Sequence, residues 1–267
     1  MDVLLTGGTG FVGGHLVRAL LDTGARVRCL VRPTGSRDNL EGLDVEIAIG
    51  DLRDVESLRQ AMRGCEVVYH CAADYRLYVP DPERMYAANV QGTENLMRAA
   101  ADCRVRRIVY TSTVGTLGHG KNGLPADEST PVAFDEMSGH YKRSKFLAER
   151  AVERWAADGL PVVIVNPSAP VGERDVKPTA TGQIVVDFLA GRIPAYVDSG
   201  LNLIDVRDVA RGHLLAAEKG RPGEKYILGH SNMTTTARYL SALESQVERS
   251  FSRIYGDRTN GRKKRSA

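Results

Sequence analysis

The chain has 267 residues, 42% of them hydrophobic and 26% charged, which suits one large α/β domain or a nucleotide domain with a small appendage, and not two full-sized domains. No window approaches the roughly 18 consecutive apolar residues of a membrane span, and Met1-Asp2-Val3 leads into a glycine turn with no basic region ahead of it, so neither a span nor a secretory leader is expected and the location expected is cytoplasmic. The net charge of +3 is no argument for nucleic acid, because from Arg249 onward seven Lys or Arg residues face one acid, Asp257, and removing that +6 leaves the preceding 248 residues at −3.

The first stretch is Thr6-Gly7-Gly8-Thr9-Gly10-Phe11-Val12-Gly13, between an apolar run, Val3 to Leu5, and an amphipathic one. Glycines at 7, 10 and 13 suit a strand that turns sharply into a helix, admits a pyrophosphate to bare backbone N–H groups and packs the helix close to its sheet. The spacing predicts a helix over Phe11 to Leu21, stopped by Gly24, and a second strand over Arg26 to Val31. Where NAD-preferring folds place an acid for the ribose 2′-hydroxyl, this strand ends in Arg32, with Arg37 beyond, which favours a 2′-phosphate; solvated surface arginines are the alternative.

A third strand, Val45 to Ile49, runs into Gly50-Asp51-Leu52 and a helix from about Val55 to Met62. Asp51 can accept a hydrogen bond from an adenine amino group, or cap that helix. Val67 to His70 makes a fourth strand, followed by Cys71-Ala72-Ala73, small enough to leave room for a cofactor; His70 reads as a satisfied core histidine. Asp81 to Ala101 reads as one long helix with Asn89 as a polar residue on its inward stripe, and a fifth strand, Ile108 to Thr111, delivers Ser112-Thr113 to its carboxyl end. Gly118 to Ser138 reads as a loop over the site. A helix then begins near Ser138 or Gly139, carrying Tyr141 and Lys145 one turn apart on one face. A sixth strand, Val162 to Val165, ends in Asn166-Pro167-Ser168, and Pro170 to Pro178 leaves the sheet. A short helix, Gly182 to Leu189, the stretch Leu203 to Val206, a helix from Val209 to Glu218 and a strand, Lys225 to Leu228, follow. Strands alternating with helices at this rate mean a doubly wound parallel sheet, the Rossmann fold.

The chemistry expected is proton and hydride transfer. A tyrosine titrates near 10, too high for base work at neutral pH, but an ammonium one turn away together with a positive nicotinamide ring favours the phenolate. Thr113 is placed to hold a substrate oxygen, and Ser112 is set aside because alternation points it to the other face. Cys29, Cys65, Cys71 and Cys103 lack the paired spacing of zinc or redox sites and read as free thiols, so no metal is expected.

These residues resemble the extended short-chain dehydrogenase/reductases, the NAD-dependent epimerase/dehydratase family. The resemblance rests on the glycine turn, Gly50-Asp51-Leu52, His70-Cys71-Ala72-Ala73, Asn89-Val90-Gln91-Gly92-Thr93, Tyr110-Thr111-Ser112-Thr113, Tyr141 with Lys145, and Asn166-Pro167, and spans residues 1 to about 233. Within the family, Asn166 to Gly172, Lys177 to Gln183, Pro194 to Asn202 and Tyr226 to Gly229 look like the hopanoid-associated sugar epimerase group, close to dihydroflavonol-4-reductase-like proteins. The resemblance implies a catalytic set of Thr113, Tyr141 and Lys145. It implies NADP, with NAD as the alternative, held by Gly7, Gly10, Phe11, Val12, Gly13, Arg32, Arg37, Asp51, Leu52, Cys71, Ala72, Ala73, Tyr141, Lys145 and Pro167. Asn166, with Ser168, falls where nucleotide-sugar enzymes contact the substrate, and a homodimer is usual in the family.

The expected domains are an NAD(P)-binding unit over 1–165, a mixed segment completing the sheet and a small substrate lobe over 166–250, and a basic disordered tail over 251–267. Residues after Met233 depart from the family pattern, although Leu240, Leu243, Val247 and Phe251 can line one side of a helix over Thr234 to Phe251. The lobe therefore reads as truncated, with the substrate side open, cofactor binding retained and turnover in question. The leading expectation is an epimerase or dehydratase-type oxidoreductase acting on a sugar or nucleotide-sugar. The alternatives are an NADPH-dependent carbonyl reductase and a non-catalytic NADP-binding sensor, and the Arg262 to Arg265 cluster gives nucleic-acid binding its only support.

Overall fold

The protein's structure, a computed structural model, describes residues 1–76, 78–118, 120, 126–195 and 200–229. The expected helix over Thr234 to Phe251, the basic end and residues 196–199 of the family-like stretch lie outside the described residues. In chain order the strands are β1 (Asp2–Thr6), β2 (Arg26–Val31), β3 (Glu46–Ile49), β4 (Val67–His70), β5 (Arg107–Thr111), β6 (Val162–Pro167), β7 (Ala169–Val171), β8 (Leu203–Asp205) and β9 (Lys225–Leu228). The helices are α1 (Phe11–Asp22), α2 (Val55–Met62), α3 (Pro82–Tyr86), α4 (Gly92–Asp102), α5 (Gly139–Ala157), α6 (Ala180–Leu189) and α7 (Val206–Lys219).

Side-chain alternation splits each central strand between two cores. Leu4, Val68, Ile108 and Ile164 face Leu58, Met62, Leu96 and Val152 from α2, α4 and α5. Val3, Leu5, Val67, Tyr69, Val109 and Val163 face Leu16, Val17, Leu20 and Ala210 from α1 and α7. Burial on both faces explains why these strands read as almost unbroken apolar runs, as parallel strands between helix layers do.

The main sheet is parallel throughout, in the order β3-β2-β1-β4-β5-β6-β9. The chain works outward from β1 to β3, then returns to lay β4 on the other side of β1, with Leu5 opposite Tyr69 and Thr6 opposite His70. That reversal opens a crevice beyond the carboxyl ends of β1 and β4, the place where open α/β sheets take ligands. A second, two-stranded parallel sheet pairs β7 with β8, so the stretch expected to leave the sheet at Pro170 first makes a short strand of its own. The described residues up to Gly229 form one compact unit, and the boundary expected at 165 falls inside β6. Among the described residues no helix is long and apolar enough to cross a membrane.

Three local features differ from the expectation. The helix over Asp81 to Ala101 starts at Pro82, with the Asp81 carboxylate accepting from the Glu83 N–H, and is interrupted by a π-turn over Ala87–Gln91. The extra residue in that turn brings Asn89 inward, and a side chain with both donor and acceptor finds work there that an apolar residue could not do. The helix after Asp51 is capped by Asp54, which accepts from Glu56 N at 3.0 Å and Ser57 N at 3.3 Å. The helix expected from Val209 starts at Val206 instead, because Asp205 accepts from Arg207 N at 2.8 Å and caps it early.

Candidate active site

The glycine turn closes on itself through a bond from Gly10 N to Gly7 O of 2.9 Å. Gly7 has φ +80°, and a Cβ there would lie 2.6 Å from Ala72 N in the segment that follows β4. A Cβ on Gly13 would fall on the Gly7 carbonyl oxygen. Both positions therefore demand glycine, one for its backbone angle and close approach, the other for packing of α1 on the turn. No side chain caps α1 and no acid stands in its first turn, so the first N–H groups, those of Phe11 and Val12 among them, are left to an anion with the positive end of the helix dipole behind them. This cradle fits a dinucleotide pyrophosphate. Asn39 braces it, donating to Thr9 O at 3.2 Å and Gly10 O at 3.3 Å, a role that the sequence did not reveal.

Around the crevice, Arg32 stands exposed just past β2 and Arg37 is exposed five residues on; the Asp51 and Asp74 carboxyls are held below the usual range first by hydrogen bonds from the Arg53 and Arg76 side chains, with the charge of Arg32 adding least. Asp51 is gripped by its neighbour: the Arg53 side chain donates to its two oxygens at 2.9 and 2.7 Å and the Arg53 N–H at 2.9 Å. The adenine contact expected of Asp51 would have to share that carboxylate. Leu52 is fixed by Asn95, which donates to its carbonyl at 3.0 Å. Cys71, Ala72 and Ala73 are half-buried after β4, and burial pushes the Cys71 thiol up to about 11, so it stays protonated at neutral pH.

Thr113 follows β5 and Tyr141 enters on the first turn of α5. Burial pushes the Tyr141 titration up to about 12, and the neighbouring Thr113 side chain pulls against it. Among the protein's own groups, the cost of an anion away from water outweighs the polar help, so their net effect raises this phenol; the expected lowering also counted on a positive nicotinamide ring. Lys145 is buried, with Nζ 2.8 Å from the Tyr110 hydroxyl and 2.7 Å from the Thr111 carbonyl, and burial lowers it to about 8 against the opposing charge of Glu149.

Two buried networks support this trio. In the first, the Thr93 hydroxyl, beside Tyr110, reaches Asn89 O at 2.7 Å and His70 Nε2 at 3.0 Å, while His70 Nδ1 meets the Thr6 hydroxyl at 2.7 Å. Asn89 adds a tie from the segment after β4 to α5, accepting from Asp74 N at 2.7 Å and donating to Ser144 Oγ at 3.0 Å. The second network centres on Glu149 of α5, which the sequence analysis passed over; an acid four residues after Lys145 on the inward stripe was the available signal. Ser112, set aside on alternation, bonds to Glu149.

The residues expected to meet substrate are placed differently from each other. Asn166 is wholly buried and its amide nitrogen is engaged by Thr113 O at 3.0 Å, Thr116 Oγ1 at 3.2 Å and Glu149 Oε2 at 2.9 Å. It braces Thr113 from behind. Pro167 ends β6, and the Ser168 hydroxyl is buried without a hydrogen-bond partner among the described residues.

Residues 3–229 match the NAD dependent epimerase/dehydratase family. Over 234 residues the chain is 48% identical to the Synechocystis sp. protein named as a dihydroflavonol 4-reductase, covering 86% of this chain and 68% of that protein. It is 40% identical to sterol demethylase protein B of Methylococcus capsulatus, over 88% of this chain and 71% of that one. Among solved structures, that of gox2253 superposes with TM-score 0.83 at 53% identity, over 85% and 69% of the two chains. Thermus thermophilus UDP-glucose 4-epimerase in complex with NAD superposes with TM-score 0.75 at 29% identity, over 87% and 78%.

Proposed function

The chain belongs to the NAD dependent epimerase/dehydratase family, the extended short-chain dehydrogenase/reductases, and is an oxidoreductase; from that premise we propose that it reduces a ketone or aldehyde with NADPH, through Thr113, Tyr141 and Lys145. The observation that carries this reading is the placing of Thr113, just past the carboxyl end of β5, beside Tyr141 on the first turn of α5, with Lys145 one helical turn behind. The reductase name of the 48%-identical relative supports the direction.

When bound, the nicotinamide coenzyme supplies the hydride. The glycine turn and the first amides of α1 bind its pyrophosphate, Arg32 and Arg37 take the 2′-phosphate, and Cys71 to Ala73 leave space for the ring. The Thr113 hydroxyl and the Tyr141 phenol hold the substrate's carbonyl oxygen between them. Because burial keeps Tyr141 protonated through neutral pH, it enters as the acid and gives its proton to that oxygen as negative charge develops there. Lys145 then stabilises the phenolate left behind.

Epimerisation of a nucleotide-sugar is the second reading, favoured by the likeness to the UDP-glucose 4-epimerase structure. The engagement of the Asn166 amide by the protein's own groups weighs against it. The two differ in stoichiometry. Sustained loss of NADPH absorbance with a panel of aromatic and aliphatic aldehydes and ketones is expected; no net NADPH loss, with interconversion of UDP-sugars instead, would reverse the order.

A further inference from the structure

Glu149 has no exposure, and an ionised carboxylate accepts hydrogen bonds but donates none, so every partner must turn a hydrogen toward it. Its Oε2 receives the Ser112 hydroxyl, the Thr116 hydroxyl at 2.8 Å and the Asn166 amide at 2.9 Å. Those three groups surround Thr113. Ser112 precedes it, the Thr116 hydroxyl lies 2.7 Å from its carbonyl, and Asn166 donates to the same carbonyl at 3.0 Å from the neighbouring strand. The orientation of Asn166 is itself informative, since its Oδ1 is buried without a partner among the described residues. An amide left half-satisfied in this way has been turned to suit the carboxylate.

The charge is kept in place from the far edge of the sheet. Burial pushes the Glu149 carboxyl up, but the charge and hydrogen bond of Lys225, with the Ser112 and Thr116 hydroxyls, outweigh it and hold the group below the usual range. Lys225, on β9, sits 2.7 Å from Glu149 Oε1 and 2.7 Å from Glu153 Oε1.

Resting on the reading of Thr113 as a group that touches substrate, we propose that Glu149 is a positioning residue, whose carboxylate aims the Thr113 hydroxyl at Tyr141 by orienting Ser112, Thr116 and Asn166 together. It acts through its neighbours and touches neither substrate nor coenzyme. A single substitution would strand a buried charge, so the test is the pair Glu149→Gln with Lys225→Met, which removes both charges and leaves Arg150 its own partner in Glu153 at 2.7 Å.

The full chain carrying both substitutions is compared with the unaltered protein by thermal midpoint, by NADPH oxidation with trans-cinnamaldehyde, and by crystallography. The expected result is a thermal midpoint near that of the unaltered protein and NADPH affinity unchanged. kcat should be lower by about 100-fold with KM little altered, the scale that a misplacement of about 1 Å carries. The Thr113 hydroxyl should be seen withdrawn from Tyr141. A Thr113 hydroxyl at the same distance from the Tyr141 phenol in the double variant as in the unaltered protein overturns the inference, whatever the rate. If that variant fails to fold, Ser112→Ala, which keeps the charge pair, decides by the same crystallographic distance. Thr113→Val separates the two claims: full turnover in that variant would remove Thr113 from the site and sink the functional reading, while the position of Thr113 would still settle the role of Glu149.

Discussion

The ammonium of Lys145 donates to the Tyr110 hydroxyl across 2.8 Å and lies 4.4 Å from the centre of that ring, so the charged end of α5 is anchored on β5 before any ligand arrives. Tyr110 is itself buried, its phenol held well above its ordinary titration range, first by burial and then by the charges of Glu149 and Tyr141. A neutral phenol that accepts from the lysine fixes it without competing for its charge. Lys145 is lowered to about 8, so the ammonium is lost as pH rises through that value. kcat/KM for carbonyl reduction should therefore be flat from pH 6 and fall above about 8. Tyr110→Phe, which removes an acceptor, should move that fall to lower pH; a profile flat to pH 10 in the unaltered protein would contradict the assignment.

Tyr141 is the proton donor in the proposed reaction. Tyr141→Phe should lower kcat by about 10³-fold, within the range for loss of a general acid, and leave NADPH binding by fluorescence titration within about twofold. Unchanged turnover would move the chain toward a coenzyme-binding sensor.

In the proposed reading, coenzyme preference rests on Arg32. Arg32→Ala should weaken NADPH by about 30-fold, or ~2 kcal/mol, and NADH by less than about twofold, because only the former carries a 2′-phosphate for the guanidinium to meet. Equal losses for the two coenzymes would count against Arg32 as the selecting group.

The glycine turn tests the cradle. Gly13→Ala places a methyl on the Gly7 carbonyl oxygen, so α1 must move off the turn. A thermal midpoint several degrees lower and NADPH affinity down by at least about tenfold are expected, since a clash of this kind costs about 1–3 kcal/mol. Retained affinity at an unchanged midpoint would show that the turn is looser than its geometry implies.

Two buried histidines bear on acid stability. Burial and the charge of Lys145 lower His70 to about 3, and burial lowers His213 to about 4 against a bond to the Val209 carbonyl. In the unfolded chain both titrate near 6.5, so below that pH the unfolded state takes up protons that the folded state refuses. Stability should be intact above about pH 6.5 and fall by up to about 1.4 kcal/mol per pH unit for each histidine as pH drops toward 4. Denaturant midpoints measured from pH 8 to 4 check this, and His213→Gln should flatten the slope by about half.

Much of this protein was legible along the chain. Apolar runs and their spacing set the alternation of strands and helices, because burial on both faces of a parallel sheet leaves its mark locally. The glycine turn and the placing of Tyr141 and Lys145 one turn apart on α5 were legible for a related reason: each is set by residues a few positions apart, and a helix or a turn fixes such placements by itself. What the chain could not reveal are the partners brought together by strand order. Glu149 finds Lys225 76 positions on because β9 lies against β6, and Thr6 finds His70 64 positions on because β4 returns beside β1. The titration of Tyr141 went the same way. Its sequence neighbours argued for a lowered value, and burial, a property of the whole packed fold that no short window contains, raised it.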